Sequence, residues 1–208
     1  VDGARLKDVG AGLWAEDASG LLIWLGRFVR SRHAVPLEAD EGADGLVQHD
    51  KVVAYRHREA ARRAGERNLL PPHLLAQIDA WLPPLGELIA DSPDAVLVHA
   101  DLTPSNIIGE AAASGFSPIR VIDFNQSVVA HALYELGPVW WTILEGDPQR
   151  TQRFLSEAQL PGMPDPIAPR HALAWALLNP AWRPQPFAWL DSVGSLDDLA
   201  ARAFGDGG

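Results

Sequence analysis

The residues best suited to chemistry lie in Val98-His99-Ala100-Asp101-Leu102-Thr103-Pro104-Ser105-Asn106-Ile107-Ile108 and, further along, Val121-Ile122-Asp123-Phe124. A carboxylate, Asp101, stands five residues before an amide, Asn106. A second carboxylate, Asp123, follows seventeen residues later at the end of a β-branched run. Phosphoryl transfer calls for such a set. One carboxylate takes or orients the proton of an attacking hydroxyl, while an amide oxygen and another carboxylate hold Mg²⁺ against a triphosphate. Magnesium prefers hard oxygen ligands and takes few of them from protein, so two suffice. The same residues also admit a strand-end capping network, since Asp and Asn are common in turns, or a metal-dependent hydrolase built on Asp101 and Asp123. A zinc site on His99 and Asp101 is poorly supported: there is no second His at ligand spacing and no His-Glu-x-x-His.

The elements that must position these groups can be read from the pattern around them. Ala95-Val96-Leu97-Val98 and Ile119-Arg120-Val121-Ile122 read as two short strands, joined through a turn-rich connection from Gly109 to Pro118. Leu21, Leu22, Leu25, Phe28 and Val29 recur at helical spacing, which predicts a helix over 18–34 that Pro36 closes. Residues 38–50, with five acidic side chains, Gly42 and Gly45, read as a polar acidic loop, and 51–67 as an exposed helix dense in Arg and Glu. Pro71 and Pro72 suit a helix start; Leu74, Leu75, Ile78, Trp81 and Leu82 supply its apolar face until Pro83 and Pro84 interrupt it. Helical patterning returns over 132–145, 148–158 and 168–178, with a proline-marked loop between the last two, and Ser195 caps a final helix, Leu196 to Phe204. Trp140, Trp141, Trp175, Trp182 and Trp189 read as packing residues, one of which could stack on a ligand.

Composition narrows the function. The 208 residues are 47% hydrophobic and 21% charged, enough for a true core in one large domain or two small ones. The absence of cysteine excludes disulfide scaffolds, Cys-ligated zinc and thiol catalysis. A net charge of −10 and a pI near 5.0 argue against nucleic acid as a partner. The longest apolar runs are too short to span a bilayer, and the first residues do not have the form of a signal peptide, so no membrane partner and a cytoplasmic location are expected. Only two lysines, Lys7 and Lys51, accompany fifteen arginines.

The motif pair His99-x-Asp101-x₄-Asn106 and Ile122-Asp123-Phe124 resembles the signature of the aminoglycoside phosphotransferase and choline kinase-like family, which shares the protein-kinase-like fold. The resemblance extends along the chain. Val1 to Leu6 looks like the segment after the hinge between two lobes, Leu25 to Pro36 like the first helix of the C-terminal lobe, Leu133-Tyr134-Glu135-Leu136 like the helix after the metal-binding Asp, and Leu196 to Phe204 like the closing helix. It implies an α+β, mostly helical C-terminal lobe over 1–208, with a small strand pair carrying the catalytic and metal-binding residues and with the N-terminal lobe absent. Within it, 46–92 would form a helical wall of the acceptor pocket, 95–124 the catalytic and metal-binding loops, and 131–208 the C-terminal helices. Asp101 would be the catalytic base, Asn106 and Asp123 the Mg²⁺ ligands that also hold the nucleotide, and His99 a structural tie between the catalytic loop and the metal-binding strand.

The implied reaction is transfer of the γ-phosphoryl group of ATP, or another nucleoside triphosphate, to a hydroxyl of a small acceptor, a cationic one such as an aminoglycoside or amino alcohol being the family example. The alternative is a noncatalytic truncated lobe serving as a binding or interaction module, whose partner would be an upstream N-terminal lobe or a second copy docked on an exposed inter-lobe face. Two departures from the family pattern stand out. Ala100 occupies a position usually held by Gly, and Ala130-His131-Ala132 stands where the family commonly has Gly-Asp-Pro, removing a carboxylate that braces the catalytic loop at a helix N-terminus.

Overall fold

A computed structural model describes residues 3–9, 19–90, 95–112, 115–161, 167–182 and 186–205. The protein is mostly helical, with two small antiparallel sheets. One holds β1 (Ala4–Arg5), β3 (Ile107–Ala112) and β4 (Gly115–Val121) in the order β1-β3-β4; the other pairs β2 (Ala95–Val98) with β5 (Val128–His131). The two runs expected to form one strand pair therefore do not pair with each other. Each has its own partner: Ala95 to Val98 face His131 to Val128, and Val121 faces Ile107. Residues 109–112, expected in a turn-rich connection, complete the β3–β4 hairpin instead, with a bulge at Ile108/Gly109.

This topology makes the site. The chain leaves the β2–β5 sheet at Val98, crosses to the other sheet through residues 99–106, runs the hairpin, and crosses back through 122–127 to β5. Asp101 and Asn106 lie on the outward crossing and Asp123 on the return. Residues far apart in sequence thus share the gap between the sheets. Leu102 fastens the outward crossing: its side chain is fully buried in the core, a contribution of about 1.5–3 kcal/mol by apolar transfer.

The helices cover the sheets. Helix α1 (Ser19–His33) matches the 3.6-residue spacing of its leucines and packs against α8 (Pro148–Ala158). Helix α2 (Ala39–Arg58) corrects the expectation of an acidic loop over 38–50. Gly45 serves contact rather than a turn. A Cβ at Gly45 would lie 2.5 Å from Cβ of Val129, so only glycine lets the helix axis approach β5 this closely. Glu41 and Asp44 lie on the exposed side of that helix, and Asp50 turns to β5. Helix α3 (Ala60–Glu66) follows after a one-residue break; Ala60 and Ala64 are buried, so the stretch is half-buried rather than exposed.

The single helix expected between Pro71 and Pro83 is split into α4 (Pro72–Leu75) and α5 (Ile78–Trp81), and α6 (Leu85–Ala90) follows Pro83 and Pro84, with Leu74, Ile78, Trp81 and Leu82 buried. Beyond β5, a 3₁₀ turn over Ala132–Glu135 leads into α7 (Leu136–Thr142), and α9 (Pro169–Leu178) and α10 (Leu196–Phe204) close the core. The Ser195 side chain accepts the Asp198 N–H, the N-cap the sequence predicts. Trp140, Trp141 and Trp175 are fully buried, and the first two pack edge-to-face with ring centroids 4.5 Å apart. The greater part of the proline-marked loop, 162–166, and part of the Trp/Pro stretch, 183–185, lie outside the described residues. No helix among those described is long and apolar enough to cross a membrane.

Candidate active site

The loop after β2 is held by its own polar groups. The Asp101 N–H donates to His99 Nδ1 at 3.3 Å, which makes Nδ1 an acceptor and places the ring proton on Nε2. Nε2–H in turn donates to the carbonyl of Ile122 at 3.0 Å. His99 thus joins the outward crossing to the residue preceding Asp123. Burial holds its pKa below the ordinary histidine value, against the favourable bond to Ile122 and the nearby Asp101 and Asp123, so the neutral tautomer is the resident one.

Asn106, 6% exposed, turns its amide inward: Nδ2 donates to the Asp101 carbonyl at 2.9 Å and to Asp101 Oδ2 at 3.0 Å. Two acceptors on one nitrogen fix the amide orientation, so Oδ1 is the atom left to face a cation. The backbone continues the link, with the Ile122 N–H donating to the Asn106 carbonyl at 2.9 Å. Asp123 is exposed, adopts a left-handed conformation (φ 62°) and makes no hydrogen bond among the described residues. Asp101 lines an open cleft of about 680 Å³, whereas Asn106 lies beneath Asp101 and Asp123 stands outside the lining. The structure therefore joins Asp101, Asn106 and His99 directly and brings Asp123 alongside through the Ile122 backbone.

Two residues that the sequence reading left out of the site complete the loop's support. The buried Glu135 carboxylate accepts the His99 N–H at 2.6 Å and the Ala100 N–H at 3.2 Å. A loop-bracing carboxylate is therefore present, five residues after the β2–β5 pairing at Ala130 and not at position 131. Burial pushes the Glu135 carboxyl up to about 7, while its two backbone donors and Arg32 pull the other way. His131 instead pairs with Asp50 Oδ1 at 2.8 Å, tying β5 to α2.

The second residue is the buried Asn179. Its Nδ2 donates to the Ala100 and Tyr134 carbonyls, each at 3.2 Å, and its Oδ1 accepts from Arg56. The hydrogen bonds of Ala100 on both sides hold it at φ 63°, in the left-handed region where the family's usual glycine carries no penalty. Gly-to-Ala replacement is thus accommodated in strained form rather than relieved.

The remaining cleft wall is cationic. Arg56 from α2, Arg63 from α3 and Arg67 just after α3 line it, together with Lys7. Trp182, 65% exposed, stands at the rim. This lining is the opposite of what a cationic acceptor calls for. Glu38, Glu41, Asp44 and Asp50 do not line the cleft.

A mostly helical α+β fold, carrying a carboxylate clamped by an amide on one inter-sheet crossing and a second carboxylate on the other, defines a phosphotransferase-type architecture. The family model described as the phosphotransferase enzyme family matches residues 1–188, and the chain belongs to that family. Membership implies a kinase-like fold and kinase-like enzymes by family. No curated protein matches the chain.

Proposed function

We propose that the chain is the acceptor-binding C-terminal lobe of a small-molecule kinase, which moves the γ-phosphoryl group of ATP, or another nucleoside triphosphate, to a hydroxyl entering the cleft beside Asp101. The observation that carries this reading is the Asn106 clamp. It occupies Oδ2 of Asp101, while Oδ1 accepts no hydrogen bond among the described residues and remains for the incoming hydroxyl. Asp101 would orient that hydroxyl and take its proton as the oxygen attacks phosphorus. His99, neutral and committed at both nitrogens, is a positioning residue.

The donor set fits Mg²⁺. The Asn106 amide presents oxygen because its nitrogen is spent on Asp101, and the Asp123 carboxylate has no competing donor. Asn106 and Asp123 would hold the ion, and two hard oxygens are what such a site takes from protein. Bound there, Mg²⁺ would neutralise phosphate charge as the leaving group departs. The helical segment over 46–92 would supply one acceptor wall, in keeping with Arg56, Arg63 and Arg67 on the cleft.

The test is phosphate transfer from γ-labelled ATP by the full natural protein to a panel of hydroxyl compounds. Asp101→Ala should abolish transfer with little change in thermal stability, and Asp123→Asn should weaken Mn²⁺ binding read by electron paramagnetic resonance. Retained turnover in the Asp101 variant would mean that the base lies elsewhere.

A further inference from the structure

Across a chain of net charge −10, the cleft beside Asp101 gathers positive charge. Lys7, Arg56, Arg63 and Arg67 face it, and among the described residues the acids of the lining are Asp101 and Glu145. Glu145 is already bonded to Arg150 at 3.2 Å. The neighbouring acids of α3 are also committed, since Glu59 and Glu66 both pair with Arg62 on the exposed side of the helix. None of Arg56, Arg63 and Arg67 meets a carboxylate within ion-pairing distance among the described residues. The Nε of Arg63 is buried with no hydrogen-bond partner, a state that costs free energy unless a ligand supplies the acceptor.

The three guanidiniums also repel one another. Arg56 titrates below its ordinary value through burial, with Arg63 and Arg67 adding to the effect and Tyr134 opposing it, and Arg67 does so through burial and then Arg63, with Glu66 opposing. Folding has therefore brought like charges to one wall, where Arg56 is partly answered by Asn179, the Leu178 carbonyl and the Tyr134 ring but by no carboxylate among the described residues. An oxyanion there would relieve the repulsion. Guanidinium groups suit that task because their paired N–H groups match the two oxygens of a carboxylate or phosphate.

We infer that the phosphoryl acceptor of this cleft is an anionic hydroxy compound, whose carboxylate or phosphate group is held by Arg63 and Arg67, with Arg56 behind them, while its hydroxyl faces Asp101. Arg56 links the two halves. It donates to Asn179 Oδ1, and Asn179 donates to the Ala100 carbonyl next to Asp101, so the wall that would hold the anion is tied to the loop that would hold the base. The inference rests on the phosphotransferase reading for the role of Asp101, but not for the presence of an anion site.

Equilibrium binding separates the two. The probes are 3-phosphoglycerate, which carries a hydroxyl, a carboxylate and a phosphate, and kanamycin as a polycation, each titrated calorimetrically at fixed ionic strength without nucleotide. The anion should bind and kanamycin should not. Arg67→Met, on a half-buried side chain at the end of α3, should weaken anion binding at least about tenfold, the loss of one charge-assisted contact. Arg63→Lys keeps the charge but loses the fork and should lose affinity too, with an unchanged far-ultraviolet dichroism spectrum showing that the fold persists. Asp101→Asn should leave anion affinity equal or stronger, since it removes a nearby negative charge. Kanamycin binding in preference to the anion, or anion affinity indifferent to both Arg variants, would overturn the inference. So would displacement of the anion by Mg-ATP, which would assign the arginines to the nucleotide. An Asp101 variant that retains transfer while the Arg variants lose anion binding would overturn the assignment of the base and leave the anion site standing.

Discussion

The loop over 99–106 and the arginine wall of α2 and α3 border the same cleft and are built on opposite terms. In the loop, the polar groups answer one another. His99 uses both ring nitrogens, Asn106 spends its amide nitrogen on Asp101, and Glu135 receives two backbone donors. On the wall, three guanidiniums face the cleft without a carboxylate, and one buried donor has no acceptor. A satisfied network in a low-dielectric site fixes geometry. An unsatisfied charged wall costs stability, and the completing group has to come from outside. On the readings proposed above, one region would serve positioning and the other recognition, so substitutions in them should fail differently.

The largest effect should come from the loop. Asp101→Asn preserves an oxygen for Asn106 to bond and removes only the basic charge. Transfer should fall about 10²–10⁴-fold, the usual worth of a general base, while the thermal midpoint stays within about one degree of the parent. Steady-state kinetics should place the loss in kcat, as expected for an interaction made in the transition state. An equal loss confined to KM would erase the distinction between the two regions, because it would make Asp101 a binding group like the arginines.

Next in size is the brace. Glu135→Gln turns one acceptor oxygen into a donor directed at the His99 or Ala100 N–H. A buried donor left unsatisfied costs about 1–3 kcal/mol, which in a chain of this size lowers the melting temperature by roughly 2–4 °C for each kcal/mol. Calorimetric melting measures it, and kcat should fall with it as the loop loses its hold on Asp101. An unchanged melting temperature would show that the loop is fixed by Leu102 and His99 alone.

A smaller effect, of opposite sign, is expected at the strained position between them. Ala100 sits at φ 63°, where an L side chain costs roughly 1–2 kcal/mol. Ala100→Gly relieves that strain but admits more freedom to the unfolded chain, so the net gain should be up to about 1 kcal/mol, visible as a raised urea midpoint. A lowered midpoint would mean that the methyl group packs well enough to offset the backbone cost.

Much of the loop was legible in the sequence because its chemistry is local. Asp101 and Asn106 are five residues apart, and the strand end before Asp123 is visible as a β-branched run. The strand partners were not legible, because β2 finds its partner at 128–131 and β4 finds its partner at 107–112, pairings that depend on the chain crossing between sheets. Gly42 and Gly45 suggested a loop because glycine in a helix is locally unfavourable; the close approach to Val129 that favours glycine at position 45 is tertiary. Glu135 was not legible as part of the site, since only the fold reveals that its oxygens meet the amides of 99 and 100. For the arginine wall a signal was present and unread. Positions 56, 63 and 67 are spaced seven and four apart, yet a dense mixture of Arg and Glu reads as a solvated surface until the pairing of Arg62 with both glutamates removes them from the account.

The smallest effect is expected from pH, because acid should act on Glu135 and on the buried histidines with opposite signs. Glu135 belongs to the loop's support. Its carboxyl is raised to about 7 by burial, so from about pH 4.5, where the unfolded side chain ionises, to about pH 7 the folded chain holds a proton the unfolded chain has released. Its contribution is present in full below that window and is lost as pH rises through it. His49 belongs to α2, the helix that carries Arg56. Burial first, then His131 and Arg56, depress it to about 3, so its contribution is present above about pH 6.5 and is lost as pH falls toward 3. His33, depressed to about 4 by burial and Arg32, acts in the same direction as His49. His99, whose pKa burial also lowers, acts in that direction too, and three histidines set against one carboxyl should leave the parent protein losing stability from about pH 6.5 to 4.5. Urea midpoints across that range should fall more steeply in Glu135→Gln, which deletes the opposing group. They should fall less steeply in His49→Phe, which keeps a ring against Tyr134, where the His49 and Tyr134 centroids are 4.4 Å apart. If both variants follow the parent's slope, neither group titrates as its surroundings require.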